Sequence, residues 1–164
     1  IGSHLSEELR RRGHAVRVLD SLVTGKTRNL DHIPGVEFIQ GDVADLDACR
    51  RAVAGIDYVL HQAAIPSVPK SVKDPITSNR ANIDGSLNML VAARDAGVKR
   101  LVYAGSSSAY GDTPTLPKRE DMPTRPLSPS STAPWLLSVT ACPVAVRLAM
   151  LRLALLPPDR KSVV

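Results

Sequence analysis

The sequence predicts an α/β protein with a doubly wound parallel sheet, and three observations carry that reading. Short apolar runs alternate with amphipathic stretches along residues 1–104. Each amphipathic stretch closes on a glycine, at Gly13, Gly55 and Gly97, the residue that most readily takes the left-handed turn after a helix. The apolar runs end on small or polar residues, as a parallel sheet requires where it carries a ligand crevice.

Ile1, Leu5 and Leu9 recur every four residues between Glu7, Glu8, Arg10 and Arg11, which predicts a helix over residues 1–12. Ala15-Val16-Arg17-Val18-Leu19 reads as a buried strand closed by Asp20. A loop carrying Gly25 and Pro34 leads to a second strand, Val36-Glu37-Phe38-Ile39, closed by Gly41-Asp42. Asp45 to Ala54 is helical, and Ile56 to His61 is a third strand. Ile65 to Pro75 reads as a polar, proline-bearing loop before a long helix, Ile76 to Ala96, with Ile83, Leu87, Leu90 and Val91 on one stripe. Lys99 to Ala104 is the fourth strand, running into Gly105-Ser106-Ser107-Ser108. Right-handed crossovers between these strands put helices on both faces of the sheet. The crevice then lies at Asp20, Asp42, His61-Gln62-Ala63-Ala64 and Ser106-Ser107-Ser108.

Composition bounds the function. The chain has 164 residues, 43% hydrophobic and 23% charged, with a mean hydropathy near zero, the profile of a globular protein. No run of 18 apolar residues exists, so no spanning helix is expected, nor is a signal peptide. Cys49 and Cys142 lack CxxC spacing and read as ordinary thiols of a reducing, cytoplasmic compartment. No metal site is expected. The net charge of +5 is uneven: residues 1–129 hold 17 Lys and Arg against 15 Asp and Glu, while residues 130–164 hold 4 against 1. Arg10-Arg11-Arg12 sits at a helix end where cations suit the dipole, and no aromatic stripe accompanies it. Nucleic-acid binding is therefore not expected.

The motifs at the strand ends are specific. Ile1-Gly2-Ser3-His4-Leu5 is similar to the tail of a glycine-rich GxxGxxG turn, and Asp20 stands 18 positions after Gly2. His61-Gln62-Ala63-Ala64 through Ser67-Val68-Pro69-Lys70-Ser71-Val72 and Asp74-Pro75 is similar to an HxAA…SV…S…DP signature. Asn82 to Asn88 resembles an NxxGxxN helix, and Ser106 to Gly111 an SSxxxYG segment. Together these resemble the extended short-chain dehydrogenase/reductases, the NAD-dependent nucleotide-sugar epimerases and dehydratases, and most of all the 4-epimerases.

The resemblance implies a Rossmann-type cofactor domain over residues 1–129 and the following roles. Gly2 is the third glycine of the phosphate-binding turn, and the other two precede this chain, which leads to an expectation of weak NAD binding. Asp20 takes the adenosine ribose hydroxyls and favours NAD over NADP. Asp42 and Val43 take the adenine edge. Ala63 and Ala64 let the backbone pass close to the cofactor, and Asn82 joins the hydrogen-bond network of the active site. Ser67 borders the sugar, and Ser106, with Ser107 beside it, holds the substrate hydroxyl as the catalytic serine. His61 reads as a core histidine and Asn88 as a structural contact. The implied substrate is a UDP-hexose, and the implied whole protein is a homodimer without a nucleic-acid or membrane partner.

The pattern departs after Pro126-Leu127-Ser128-Pro129. The resemblance calls for YxxxK next, and residues 130 and 134 are Ser130 and Pro134. All ten glycines lie at or before Gly111, and nine of the thirteen prolines lie at or after Pro114. Residues 130–164 therefore read as a non-family tail, the product of a shifted frame, closing on Asp159 to Val164 in the manner of a translated sequencing adapter. As a native segment, Val144 to Leu156 would make a short apolar helix. The expectation is a fragment lacking the first, central strand and the carboxyl-terminal substrate domain, with the edges of that strand's neighbours exposed. It derives from a UDP-glucose 4-epimerase-like enzyme that oxidises C4 transiently, and without the tyrosine and lysine it is inactive. The alternatives are a sugar-nucleotide 4,6-dehydratase, which Ser107-Ser108 disfavour, a UDP-glucuronate decarboxylase, or a non-catalytic dinucleotide-binding regulator.

Overall fold

The structure is a computed structural model that describes residues 1–119, 121–127 and 161–163. Helix α1 (Gly2–Arg11) leads to strand β1 (Ala15–Asp20), a 3-10 turn (Thr27–Asn29) and strand β2 (Val36–Gln40). Helix α2 (Leu46–Val53), strand β3 (Tyr58–His61), helices α3 (Val68–Lys73) and α4 (Pro75–Asn79), a π turn (Arg80–Asp84) and helix α5 (Gly85–Asp95) follow. Strand β4 (Arg100–Tyr103), a 3-10 turn (Ser107–Tyr110) and strand β5 (Lys161–Val163) complete the described elements.

The sheet is parallel at every pairing and ordered β2-β1-β5-β3-β4. Successive strand residues face opposite sides, and this sorts the core into two layers. Leu19, Val59 and Leu101 pack with Cys49, Val53, Met89, Leu90 and Ala93 under α2 and α5. Val16, Val18 and Leu60 pack with Leu9 of α1 on the other face. The doubly wound fold class thus stands, and the crevice falls at the carboxyl ends of β1, β2 and β3.

Two expectations are corrected. The helix read as continuous over Ile76 to Ala96 is broken by the π turn, and the segment read as loop holds α3. Ser67 caps α3 by accepting from Lys70 N at 3.4 Å, with a proline in the first turn, both favourable at a helix start. Asp74 caps α4 by accepting from Thr77 N at 3.1 Å, and the bonds to Thr77 hold its carboxyl below the usual carboxylate range.

The edges expected to lie bare between β1 and β3 are partly covered. Lys161–Val163 pairs with Ala15–Arg17 on one side and with Tyr58–Val59 on the other. The rest of the tail reading, including Cys142 and the helix over Val144 to Leu156, falls outside the described residues.

Candidate functional site

The crevice is a cavity of about 630 Å³ at the strand ends. Its walls come from the start of α1 (Ile1 to Ser3), the end of β1 and the loop after it (Val18 to Thr27), Gly41 to Ala44 after β2, and Gln62 to Ile65 after β3. Thr77, Arg80 and Ala81 close one side.

Local chemistry explains each wall. Asp20 turns the chain after β1 by accepting Leu22 N on Oδ1 at 2.7 Å, and Leu22 takes a left-handed φ of 61°. That conformation is uncommon outside glycine and concentrates at functional sites. Asp42 makes the matching turn after β2, accepting Ala44 N at 2.9 Å. Gly25 faces Asp20, and a Cβ at Gly25 would stand 2.6 Å from both carboxylate oxygens. With any larger residue at this position the carboxylate or the loop would have to move; the sequence offered Gly25 as a loop residue, and its close approach to Asp20 emerges only in three dimensions.

Helix α5 backs the Val43 part of the wall. Gly85 lies where a Cβ would meet Val43 Cγ2 at 2.6 Å, so α5 approaches the Val43 segment closely, and Asn88 Nδ2 donates to Val43 O at 3.1 Å. Asn82 is buried, accepts Ile65 N at 2.7 Å and donates to Ile65 O at 3.2 Å. Beneath that loop, His61 Nε2 meets Ser86 Oγ at 3.0 Å, and Ser86 donates to Asn82 O at 2.6 Å. His61 is buried, and burial pulls its pKa down to about 4. Tyr103 lies against the imidazole at 5.6 Å between ring centroids. Its hydroxyl bonds Ser86, and burial raises its pKa despite that bond. His61 is thus a neutral core residue.

Of the site residues read from sequence, Gly2, Asp20, Asp42, Val43, Ala63 and Ala64 line this one cavity. Asn82 stands behind the wall, its amide engaged by Ile65. The serines lie elsewhere. Ser67 caps α3, while Ser106 Oγ accepts Ser108 N at 3.2 Å and lies 2.7 Å from Ser108 Oγ at the head of the 3-10 turn after β4. Ser107 opens that same turn. Cys49 is buried, its thiol donates to Val43 O at 3.3 Å, and burial pushes its pKa up to about 11, so it is a packing residue. No group of three or more His, Cys, Asp or Glu among the described residues is placed to hold a metal.

A dinucleotide fits this donor set. The cavity offers two acids, Asp20 at the end of β1 and Asp42 just beyond the neighbouring parallel β2, and a helix start with no acidic residue in its first turn. First-turn N–H groups have no intrahelical acceptor and favour anions.

Fold and cavity define a doubly wound α/β protein with its nucleotide crevice at the strand ends. A family model described as the NAD dependent epimerase/dehydratase family matches residues 1–133, and the chain belongs to that family. It is 40% identical over 131 residues to the UDP-glucose 4-epimerase of Lactobacillus helveticus, a match covering 79% of this chain and 39% of that protein. It resembles the solved UDP-glucose 4-epimerase of Thermus thermophilus in complex with NAD, with a TM-score of 0.78 and 38% identity over 89% of this chain and 49% of that one. The UDP-N-acetylglucosamine 4-epimerase of Methanobrevibacter ruminantium, in complex with UDP-N-acetylmuramic acid, is similar at a TM-score of 0.78 and 31% identity, over 87% of this chain and 48% of that one. The chain spans about two fifths of the length of the curated relatives it matches.

Proposed function

We propose that this chain is the NAD-binding part of a nucleotide-sugar 4-epimerase acting on a UDP-hexose. The observation that carries the proposal is the convergence of Gly2, Asp20, Asp42, Val43, Ala63 and Ala64 on one cavity at the strand ends. Asp20 holds the ribose hydroxyls of the adenosine, and its charge repels a 2′-phosphate. Asp42 and Val43 take the adenine edge. Ala63 and Ala64, carrying no more than a methyl group each, leave room for the cofactor over the loop that Asn82 fastens. When bound, NAD supplies a reversible acceptor for the C4 hydrogen of the sugar.

Ser106, at the carboxyl end of β4, orients the sugar hydroxyl, with Ser107 and Ser67 on the substrate side. The base that removes the hydroxyl proton belongs to the YxxxK pair in the resemblance read above. Ser130 and Pro134 occupy those positions here. Neither serine nor proline supplies a tyrosinate, so the 164 residues bind without turning substrate over. The protein is read as cytoplasmic, homodimeric and without a nucleic-acid or membrane partner. In support, no described helix is long and apolar enough to cross a membrane, and the surplus of positive charge lies mostly in residues 130–164.

Calorimetric titration with NAD and NADP, beside an assay with UDP-galactose, tests the reading. It expects NAD to bind in preference to NADP, Asp20→Asn to erase that preference, and UDP-galactose to remain unconverted. Equal binding of the two cofactors by the unaltered chain would overturn the assignment of Asp20, and turnover would overturn the inactivity.

A further inference from the structure

The cavity has a cation that nothing above uses. Arg80 lines it from the π turn, is exposed, and its guanidinium has no hydrogen bond or ion pair among the described residues. The backbone there is held in place, because Asn82, two residues on, clamps the Ile65 backbone by both ends of its amide. A π turn inserts an extra residue into a helix and recurs at functional sites. Here it lets Asn82 turn inward to the loop after β3 while Thr77, Arg80 and Ala81 remain on the cavity wall.

The cavity is polarised along the sheet. Its acids are Asp20 at the end of β1 and Asp42 just beyond β2, whereas Arg80 lies two residues from Asn82, which bonds the loop after β3, a strand three interstrand steps from β2, or about 14 Å. The start of α1 lines the same cavity and contributes first-turn N–H groups with no acid beside them.

We propose that Arg80 is a diphosphate-binding residue of this site, its guanidinium pairing with the anionic bridge of the dinucleotide. The inference rests on the NAD reading above. An adenosine seated at Asp42 and Asp20 sends its phosphates toward the β3 side, where Arg80 is the cation on the wall. Lys26 also lines the cavity, but it belongs to the loop that carries Asp20. A guanidinium offers two parallel donors to a phosphate where an ammonium offers a point charge.

Titrating the full chain, Arg80→Gln and Arg80→Lys with NAD, adenosine and UDP separates the possibilities. The expected result is an NAD affinity lowered about tenfold or more in Arg80→Gln, the scale of a charge-assisted hydrogen bond, with partial recovery in Arg80→Lys. Adenosine affinity and thermal unfolding should be unchanged, and the tenfold gap should shrink as salt is raised. Equal loss for NAD and adenosine, no loss for NAD, or a loss for UDP alone would each overturn the role of Arg80. A wild-type chain that binds neither NAD nor adenosine overturns the dinucleotide reading itself.

Discussion

Asn82 and Ile65 are joined at two points: the side-chain amide accepts Ile65 N at 2.7 Å and donates to Ile65 O at 3.2 Å. A side chain thereby completes the backbone hydrogen bonding of an irregular segment, a demand that any buried backbone must meet. The segment it completes is the cavity wall from Gln62 to Ile65.

Asn82→Ala leaves that backbone pair without its partner and is expected to destabilise the fold by about 1–3 kcal/mol. Asn82→Asp keeps the acceptor for Ile65 N but sets a carboxylate oxygen against Ile65 O, and should be no better than alanine. Denaturant unfolding of the three chains checks the order. NAD affinity should fall in both variants, and a variant with native affinity would show that the clamp does not shape the wall.

Gly25→Ala tests the other wall. The added Cβ would stand 2.6 Å from both oxygens of Asp20, so either the loop lifts or the carboxylate rotates away. Because the loop is on the surface, the melting temperature should change little, while NAD affinity falls at least as far as in Asp20→Asn. A large drop in melting temperature would mean instead that the loop supports the core.

His61 sets an acid-side dependence of stability. Burial holds its pKa near 4 in the folded chain against an ordinary 6.5, so between those values the unfolded chain binds a proton that the folded chain refuses. Stability therefore rises with pH through that window, and it falls as pH drops from about 6.5 to about 4. The contribution is of order 3 kcal/mol at most. His61→Gln should flatten this part of the pH profile while lowering stability at pH 7, since the imidazole's bond to Ser86 Oγ at 3.0 Å is lost or remade. A profile equally steep in the variant would assign the slope to other groups.

What was legible in the sequence was whatever depends on neighbours along the chain. The runs ending at Asp20, Ile39 and His61 lie in strands because their alternating apolar residues reach both core layers, and Asp20 at the end of β1 and Asp42 beyond β2 turn the chain through their own carboxylates two residues on. Features made by distant partners were not legible. The π turn carries Asn82, whose partner Ile65 lies 17 residues back, whereas the helical periodicity of Ile76 to Ala96 runs unbroken through it. Gly25 reads as an ordinary loop glycine until Asp20 stands over it. Helix α3 was signalled by Ser67 and Pro69 but hidden by the polar composition around them.

Strand β5 is the extreme case of a distant partner. Lys161–Val163 enters the middle of the sheet, more than fifty residues beyond β4, and pairs with β1 over three residues although β1 has six. Ser162 is fully buried there and its hydroxyl has no hydrogen-bond partner among the described residues. An unpaired buried hydroxyl costs about 1–3 kcal/mol, and a β-branched apolar residue suits a central strand. Ser162→Val is therefore expected to raise the denaturation midpoint by an amount in that range. Deleting residues 161–164 removes the strand from between Ala15–Arg17 and Tyr58–Val59, leaving two unpaired edges that invite association. The shortened chain should sediment as larger species and lose protection from amide exchange in β1 and β3. If it stays monomeric with those amides protected, β5 does not hold the sheet together, and the gain expected from Ser162→Val goes with it.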